Sequence, residues 1–394
     1  MAISSLINPS GKPSVQDNLW HIASSSNSGQ VDFKYIFDVF KGGEQLIRAK
    51  VFPTPDSGKG YFDAGPIVRN EMDYTWFAPN GNFISAEPNL SGQIGQTYQI
   101  RVGEDFSGLT TLNLASGNVT AYNFVPPVFK RRMFDFTAKD NRTLTDRFLN
   151  TISNFGEDLY LPVHSTISEE LIISFIRYIG SSVGVSSEYN FRADYGYFQL
   201  NLSPSAIKQF LISESDALTI PDTTTKIITN IETFAGNQYQ FVINVECNGK
   251  FTPIPLHFMN AYGMFETARF GLVNRLNKQI QRKTFQKRDY ELGSSSVNYF
   301  TTYGSNRKYV ESKINYGSEI NWQYKLTMYP PSDSDYQWLA QLIDSPLIYA
   351  EIDSEYYPVT IVETNYEYSK HDFNGLKPLE LNIELNQKRF GFKR

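Results

Sequence analysis

Apolar and polar residues alternate with period two through much of this chain. Phe33, Tyr35 and Phe37 alternate with Asp32, Lys34 and Asp38, and Gly42-Gly43 then lead into a second run at residues 45–52. Two such runs joined by Gly-Gly predict a β-hairpin, because glycine reaches the positive φ that a tight hairpin turn requires. Residues 97–102 and 118–124 are further strand candidates, and the Pro- and Gly-rich cluster at 53–60 admits no regular element. Short strands at this spacing predict an Ig-like β-sandwich over residues 31–126, closed by a break at Val125-Pro126-Pro127.

Further along the pattern is mixed. At 203–212 a Ser at N-cap, a Pro at the first helical position and apolar residues at helical spacing predict a short helix. Strand-like runs surround it at 196–202, 226–231 and 239–246, and Asn248-Gly249 predicts a turn into 250–258. The last hundred residues predict strands at 308–315 and 320–329, joined by a turn at Tyr316-Gly317-Ser318-Glu319. A helix at 332–346 follows, with an acidic first turn and a Pro stop. On it Tyr336, Leu339, Leu342 and Ile343 share one face, and strands are expected at 347–352, 359–368 and 379–386.

The fold class is therefore mainly β with minor α, in several domains. Residues 1–30, rich in Ser, Asn, Gly and Pro, are expected as an extended arm, in which Trp20 and Ile22 favour docking on a neighbour. The sandwich follows at 31–126, then a mixed β-rich domain at 127–292. A linker at 293–297 opens a C-terminal α+β domain at 293–394, in which one amphipathic helix lies on a sheet.

Composition sharpens this picture. Aromatic residues make up 15% of the chain, with 25 Tyr and 29 Phe, which suits both β structure and contacts that are buried in an assembly. The net charge of -5 disfavours a dedicated nucleic-acid binder. Cys247 is the single cysteine, so no intrachain disulfide forms, and its alternating surroundings place it as a small buried hydrophobe. No window approaches the about 18 apolar residues of a membrane span, and the first residues lack the pattern of a secretory signal. The expectation is a soluble product of a cytoplasm.

Catalytic motifs are not found. His21, His164, His257 and His371 lie far apart, outside metal-binding spacings. Glu169-Glu170 and Asp333 with Asp335 fit helix first turns better than paired acid and base work. The 56–60 segment lacks the spacing and the helix of a phosphate loop. The expectation is a non-enzymatic protein with no cofactor and no metal.

One stretch organises the middle of the chain. Leu256, Phe258, Asn260, Tyr262, Gly263, Phe265, Glu266 and Thr267 precede a basic segment holding Arg269, Arg275, Lys278, Arg282, Lys283, Lys287 and Arg288. Seven positive charges with Phe270, Phe285 and Tyr290 among them could grip phosphates or stack on bases. A basic stripe meeting an acidic face of a neighbouring subunit accounts equally for the acidic remainder, and is the preferred reading over a solvated face or nucleic acid. Trp20, Arg275, Lys278, Arg282, Lys283, Lys287 and Arg288 are the candidate interface residues.

Three sets of residues carry a family resemblance. Asn18-Leu19-Trp20-His21-Ile22 with Asp32-Phe33-Lys34-Tyr35, the 256–267 signature with Arg282 and Tyr290, and Trp338-Leu339 with Leu342, Ser345-Pro346 and Tyr349 resemble structural proteins of tailed bacteriophages of Bacteroidetes-type hosts. The resemblance implies a virion component of the tail or baseplate region, assembled as a ring in the host bacterial cytoplasm. The C-terminal strand and helix order is similar to tail-tube and distal-tail folds. Partners would be other copies of the chain and other tail proteins. The second expectation, from another class, is a carbohydrate-binding fibre module whose partner is a host glycan. A polysaccharide hydrolase ranks last.

Overall fold

A computed structural model describes residues 3–72, 74, 82–85, 94–125, 142–143, 145–147, 150–153, 159–164, 170–180, 182–192, 197–216, 218–221, 223–233, 238–245, 252–272, 274–286, 313–328, 330, 333–362, 378–386 and 389–390. Strands account for 59% of the structure and helices for 11%, so the protein is mainly β. Two compact units are present. The first comprises Met1–Lys250, His257–Ala268 and Pro331–Leu347, and the second comprises Phe251–Leu256, Arg269–Pro330 and Ile348–Arg394. Among the described residues no helix is long and apolar enough to cross a membrane.

In chain order the first unit begins with β1 (Ile3–Ile7), β2 (Trp20–Ser25), β3 (Lys34–Lys41), β4 (Glu44–Val51), β5 (Gly60–Asp63), helix α1 (Gly65–Asn70), β6 (Ile84–Ser85), β7 (Gly95–Phe106), β8 (Leu109–Ala115) and β9 (Val119–Tyr122). One sheet has the order β1-β2-β5, and another β4-β3-β7-β8 with β9 paired to β7. The predicted hairpin is β3 with β4, turned by Gly42 and Gly43 at φ 57° and 92°. Tyr35, Phe37 and Val39 join Phe62, Ile100 and Val102 in one core. At Gly60 a Cβ would come within 2.4 Å of the Tyr35 ring, so only glycine lets β5 pass there.

Two expectations change here. Asp38, read as the polar side of an alternating strand, is fully buried. Its cross-strand partner Arg48 donates to it from Nε and Nη2, each at 2.7 Å, and this two-pronged pair offsets the loss of water. The segment expected as an arm supplies β1 and β2, and puts Val15, Leu19 and Ala23 into the core. Pro and Gly interrupt its apolar residues, which hides any period. His21 sits between Asn8 Oδ1 at 2.9 Å and the Tyr98 hydroxyl at 3.0 Å, and burial pushes its pKa down to about 4.

The same unit continues through β10 (Arg142–Thr143), β11 (Asn150–Ser153), β12 (Tyr160–His164), β13 (Glu170–Ile179), β14 (Ser182–Arg192), β15 (Tyr197–Asn201), helix α2 (Pro204–Ser213), β16 (Lys226–Thr233) and β17 (Gln238–Val245). Sheets of order β10-β12-β15-β6 and β11-β17-β16-β13-β14 accompany a second core, built from residues such as Val163, Phe175, Leu200, Ile207 and Ile243. Helix α2 starts as its sequence predicts: Pro204 takes a first-turn position, and the Ser203 hydroxyl accepts from the Ala206 amide at 3.3 Å.

The remaining elements are β18 (Ile254–Met259), β19 (Phe265–Phe270), β20 (Arg275–Gln286), β21 (Lys313–Met328), helix α3 (Asp333–Asp344), β22 (Ile348–Ile352), β23 (Glu355–Ile361), β24 (Leu379–Leu385) and β25 (Arg389–Phe390). The sheet of the second unit has the order β19-β18-β22-β23-β24-β21-β20, with β25 on β21. Only the first half of β18 and the last residues of β19 belong to that unit. Strand β21 runs straight through Tyr316-Gly317-Ser318-Glu319, where a turn is expected. The Lys283↔Gly317 and Thr284↔Asn315 pairs leave Tyr316 as an extra residue, so a bulge takes the place of the turn. Helix α3, expected on the C-terminal sheet, groups with the first unit, where the Trp338 ring meets Phe258. Cys247, the Asn248-Gly249 turn, the 293–297 linker and His371 lie outside the described residues.

Candidate functional site

The predicted interface residues fall on two elements. Trp20 opens β2 and is 47% exposed, with His21 turned inward beside it. Arg275, Lys278, Arg282 and Lys283 all lie on β20, whereas Lys287 and Arg288 lie outside the described residues. All twelve residues of β20 are exposed, and it is the last strand in the sheet order. Strand β21 pairs with β24 through Gln323–Met328 and with β25 through Glu319 and Ile320. Among the described residues, positions 313–318 of β21 have β20 alone beside them, so the outer half of this ribbon is two-stranded.

The register gives the ribbon two unlike faces. Leu276 opposes Tyr324, Lys278 opposes Trp322, Ile280 opposes Ile320 and Arg282 opposes Ser318, all on one face. The Lys278 ammonium lies 5.1 Å from the centre of the Trp322 ring, which fixes that side. On the other face Gln279 donates to Gln323 at 2.9 Å, and Lys283 is paired with Glu319. Glu319 raises the Lys283 pKa by accepting a hydrogen bond from its ammonium and by its negative charge, so this charge is already engaged within the ribbon. Leu276 and Ile280, at 49% and 45% exposure, give the first face an exposed apolar stripe interleaved with Lys278 and Arg282.

The stretch before the ribbon has the opposite character. Strand β18 is buried at all six positions, and the Tyr262-Gly263 turn leads into β19. Asn260 shapes that turn: its Oδ1 accepts from the Tyr262 and Met264 amides at 2.9 and 3.1 Å. Gly263 has a φ of 76°. His257, buried on β18, contacts the Thr267 hydroxyl at 3.0 Å.

Glu266 is the centre of a buried polar cluster. Asn260 Nδ2 donates to its Oε1 at 2.8 Å, and Trp338 Nε1 donates to its Oε2. Burial lifts its pKa to about 7, against the hydrogen bonds from Thr145, Trp338 and Asn260 and the charge of Arg147. The Arg147 guanidinium lies over the Trp338 ring at 4.6 Å and donates to the Thr267 carbonyl at 3.1 Å. Burial lowers the Arg147 pKa. Asp146 accepts from the Tyr262 hydroxyl at 2.7 Å and from Gln341 at 2.9 Å, and burial followed by the Asp146 charge raises the Tyr262 pKa.

A carboxyl group titrating near 7 has the proton affinity of a general acid or base. The adjoining cavity, lined by Thr145, Arg147, Tyr160, Leu202, Phe241 and Glu266 among others, has room for about one water. Both Glu266 carboxylate oxygens accept hydrogen bonds, and the cluster ties the 145–147 segment, β19 and α3 together. The sequence pattern marks Asn260, Glu266 and Trp338 separately, but not that Trp338, 72 positions on, and Arg147, 119 positions before, meet at Glu266. Among the described residues no group of three or more His, Cys, Asp or Glu side chains is placed to hold a metal. No protein-family model matches the chain, and no curated protein matches it significantly.

Proposed function

We propose that this chain is a non-enzymatic structural subunit of a tailed-bacteriophage virion, building an oligomeric ring in the tail, baseplate or neck. The exposed β20 strand carries the reading: among the described residues its apolar side chains Leu276 and Ile280 lie open to water beside Lys278 and Arg282. The bonded cluster around Glu266 adds support, because the chemistry-bearing residues of the central stretch hold the first unit together. In this reading the two N-terminal sheets form an Ig-like sandwich, and the C-terminal sheet is a distal-tail-like unit.

Light scattering of the purified chain over a wide concentration range, with mass spectrometry of purified particles, tests the proposal. A discrete symmetric oligomer, and peptides of this chain in tailed particles, are expected. A chain that stays monomeric at high concentration and is missing from particles refutes it. Selective binding by such a monomer on a glycan array would instead assign the chain to an adhesion module.

A further inference from the structure

We infer that the β20–β21 ribbon of one copy docks on the acidic first unit of a second copy, at the C-terminal end of α2, in a head-to-tail contact. The inference rests on the proposal that the chain is a self-assembling subunit, and it names the two surfaces that meet. Charge separates the two units. The first carries 19 Lys and Arg against 29 Asp and Glu, and the second carries 17 against 12. A chain that is acidic as a whole thus presents a basic unit to an acidic one, and opposite fields steer such surfaces together.

The end of α2 complements the ribbon in detail. Ile212 is 69% exposed there, and the exposed Glu214 follows as the C-cap. The last turn holds no basic residue. Carbonyl groups at a helix C-terminus carry partial negative charge, so a carboxylate there is unfavourable and a cation is welcome. Asp216 lies just beyond, accepting from Ser187 and Tyr189 of β14, and Glu188 of that edge strand is exposed. An apolar residue among carboxylates thus faces, on the ribbon, Leu276 and Ile280 interleaved with Lys278 and Arg282. The two patches are different surfaces, so the contact is heterologous and propagates into a ring or filament rather than a two-fold dimer.

The test uses two full-length variants, Lys278→Glu/Arg282→Glu and Glu214→Lys, each checked for an unchanged thermal melt. Wild type is expected to assemble less tightly at 500 mM than at 50 mM salt. Each variant alone is expected to associate at least tenfold more weakly than wild type. Mixed with each other, the two variants should recover association, because the reversed charges then meet. Ribbon-reversed chains added to wild type should cap and shorten assemblies, since their acceptor surface is intact. If wild type never associates, the proposed function fails and this inference with it. If wild type assembles but neither reversal weakens it, or mixing restores nothing, the subunit reading stands and this contact is wrong. Binding of a labelled 20-base-pair DNA duplex by wild type, abolished by the ribbon reversal, would reassign the ribbon to nucleic acid.

Discussion

The β18–β19 pair and the β20–β21 pair adjoin in sequence and share a mixture of aromatic and charged residues, yet they solve opposite problems. Strand β18 is buried at every position and β20 exposed at every position. In the first pair the cost falls on polar groups, and His257, Asn260, Glu266 and Thr267 each have a hydrogen-bonding partner. In the second the cost falls on apolar groups, and Leu276 and Ile280 remain open to water. A buried polar residue is satisfied within the chain that folds around it. An exposed apolar stripe is satisfied by whatever the folded chain meets next.

Removing a partner from the buried pair should give the largest effect. Trp338→Ala deletes a side chain that is 2% exposed and packs on Phe258, and it strips one donor from Glu266. The expected loss is about 3–5 kcal/mol, read from urea unfolding followed by intrinsic fluorescence. A loss below 1 kcal/mol would mean that α3 is only loosely attached through this residue.

The pH dependence separates Glu266 from His21. Burial raises the Glu266 pKa from 4.5 to about 7, so its contribution is complete below 4.5 and is lost as pH rises through about 7. Burial lowers the His21 pKa from 6.5 to about 4, so its contribution is present above 6.5 and is lost as pH falls through about 4. Each spans about 3 kcal/mol, and between pH 4.5 and 6.5 the two slopes oppose one another. Glu266→Gln removes the falling slope, so its urea midpoint should climb with pH across that window relative to wild type. Parallel profiles for the two proteins would show that Glu266 is ionised in the fold throughout.

Local signals carried far in the sequence and long-range ones did not. Gly42-Gly43 marks a hairpin and Ser203-Pro204 a helix start, because each depends on backbone conformations those residues favour on their own. Asp38 reads as solvent-facing in sequence because its burial depends on Arg48 across the hairpin, which no local pattern shows. Tyr316-Gly317 has turn chemistry, and it became a bulge because β20 pairs continuously alongside it. The cluster at Glu266 draws on residues more than seventy positions apart, which no window spans. The charges of the ribbon were legible from their density, whereas the split into an apolar and a polar face needs the register with β21. Lys283 reads as one more interface charge in sequence, and in the fold it is paired with Glu319.

The smallest expected effect on stability is the sharpest test of the comparison. Leu276→Ser with Ile280→Ser changes two side chains that are about half exposed on β20, opposite Tyr324 and Ile320. Substitutions at such exposed sites typically shift stability by within about 0.5 kcal/mol each, so the melting temperature of the double variant should stay within a few degrees of wild type. If the chain assembles as proposed, association followed by light scattering should weaken severalfold, because the proposed contact covers these side chains. A matched substitution in the neighbouring pair, Phe258→Ser, should do the reverse and unfold the chain. If the ribbon variant instead melts far below wild type and assembles as before, its apolar side is covered within its own chain, and the contrast between the two pairs disappears.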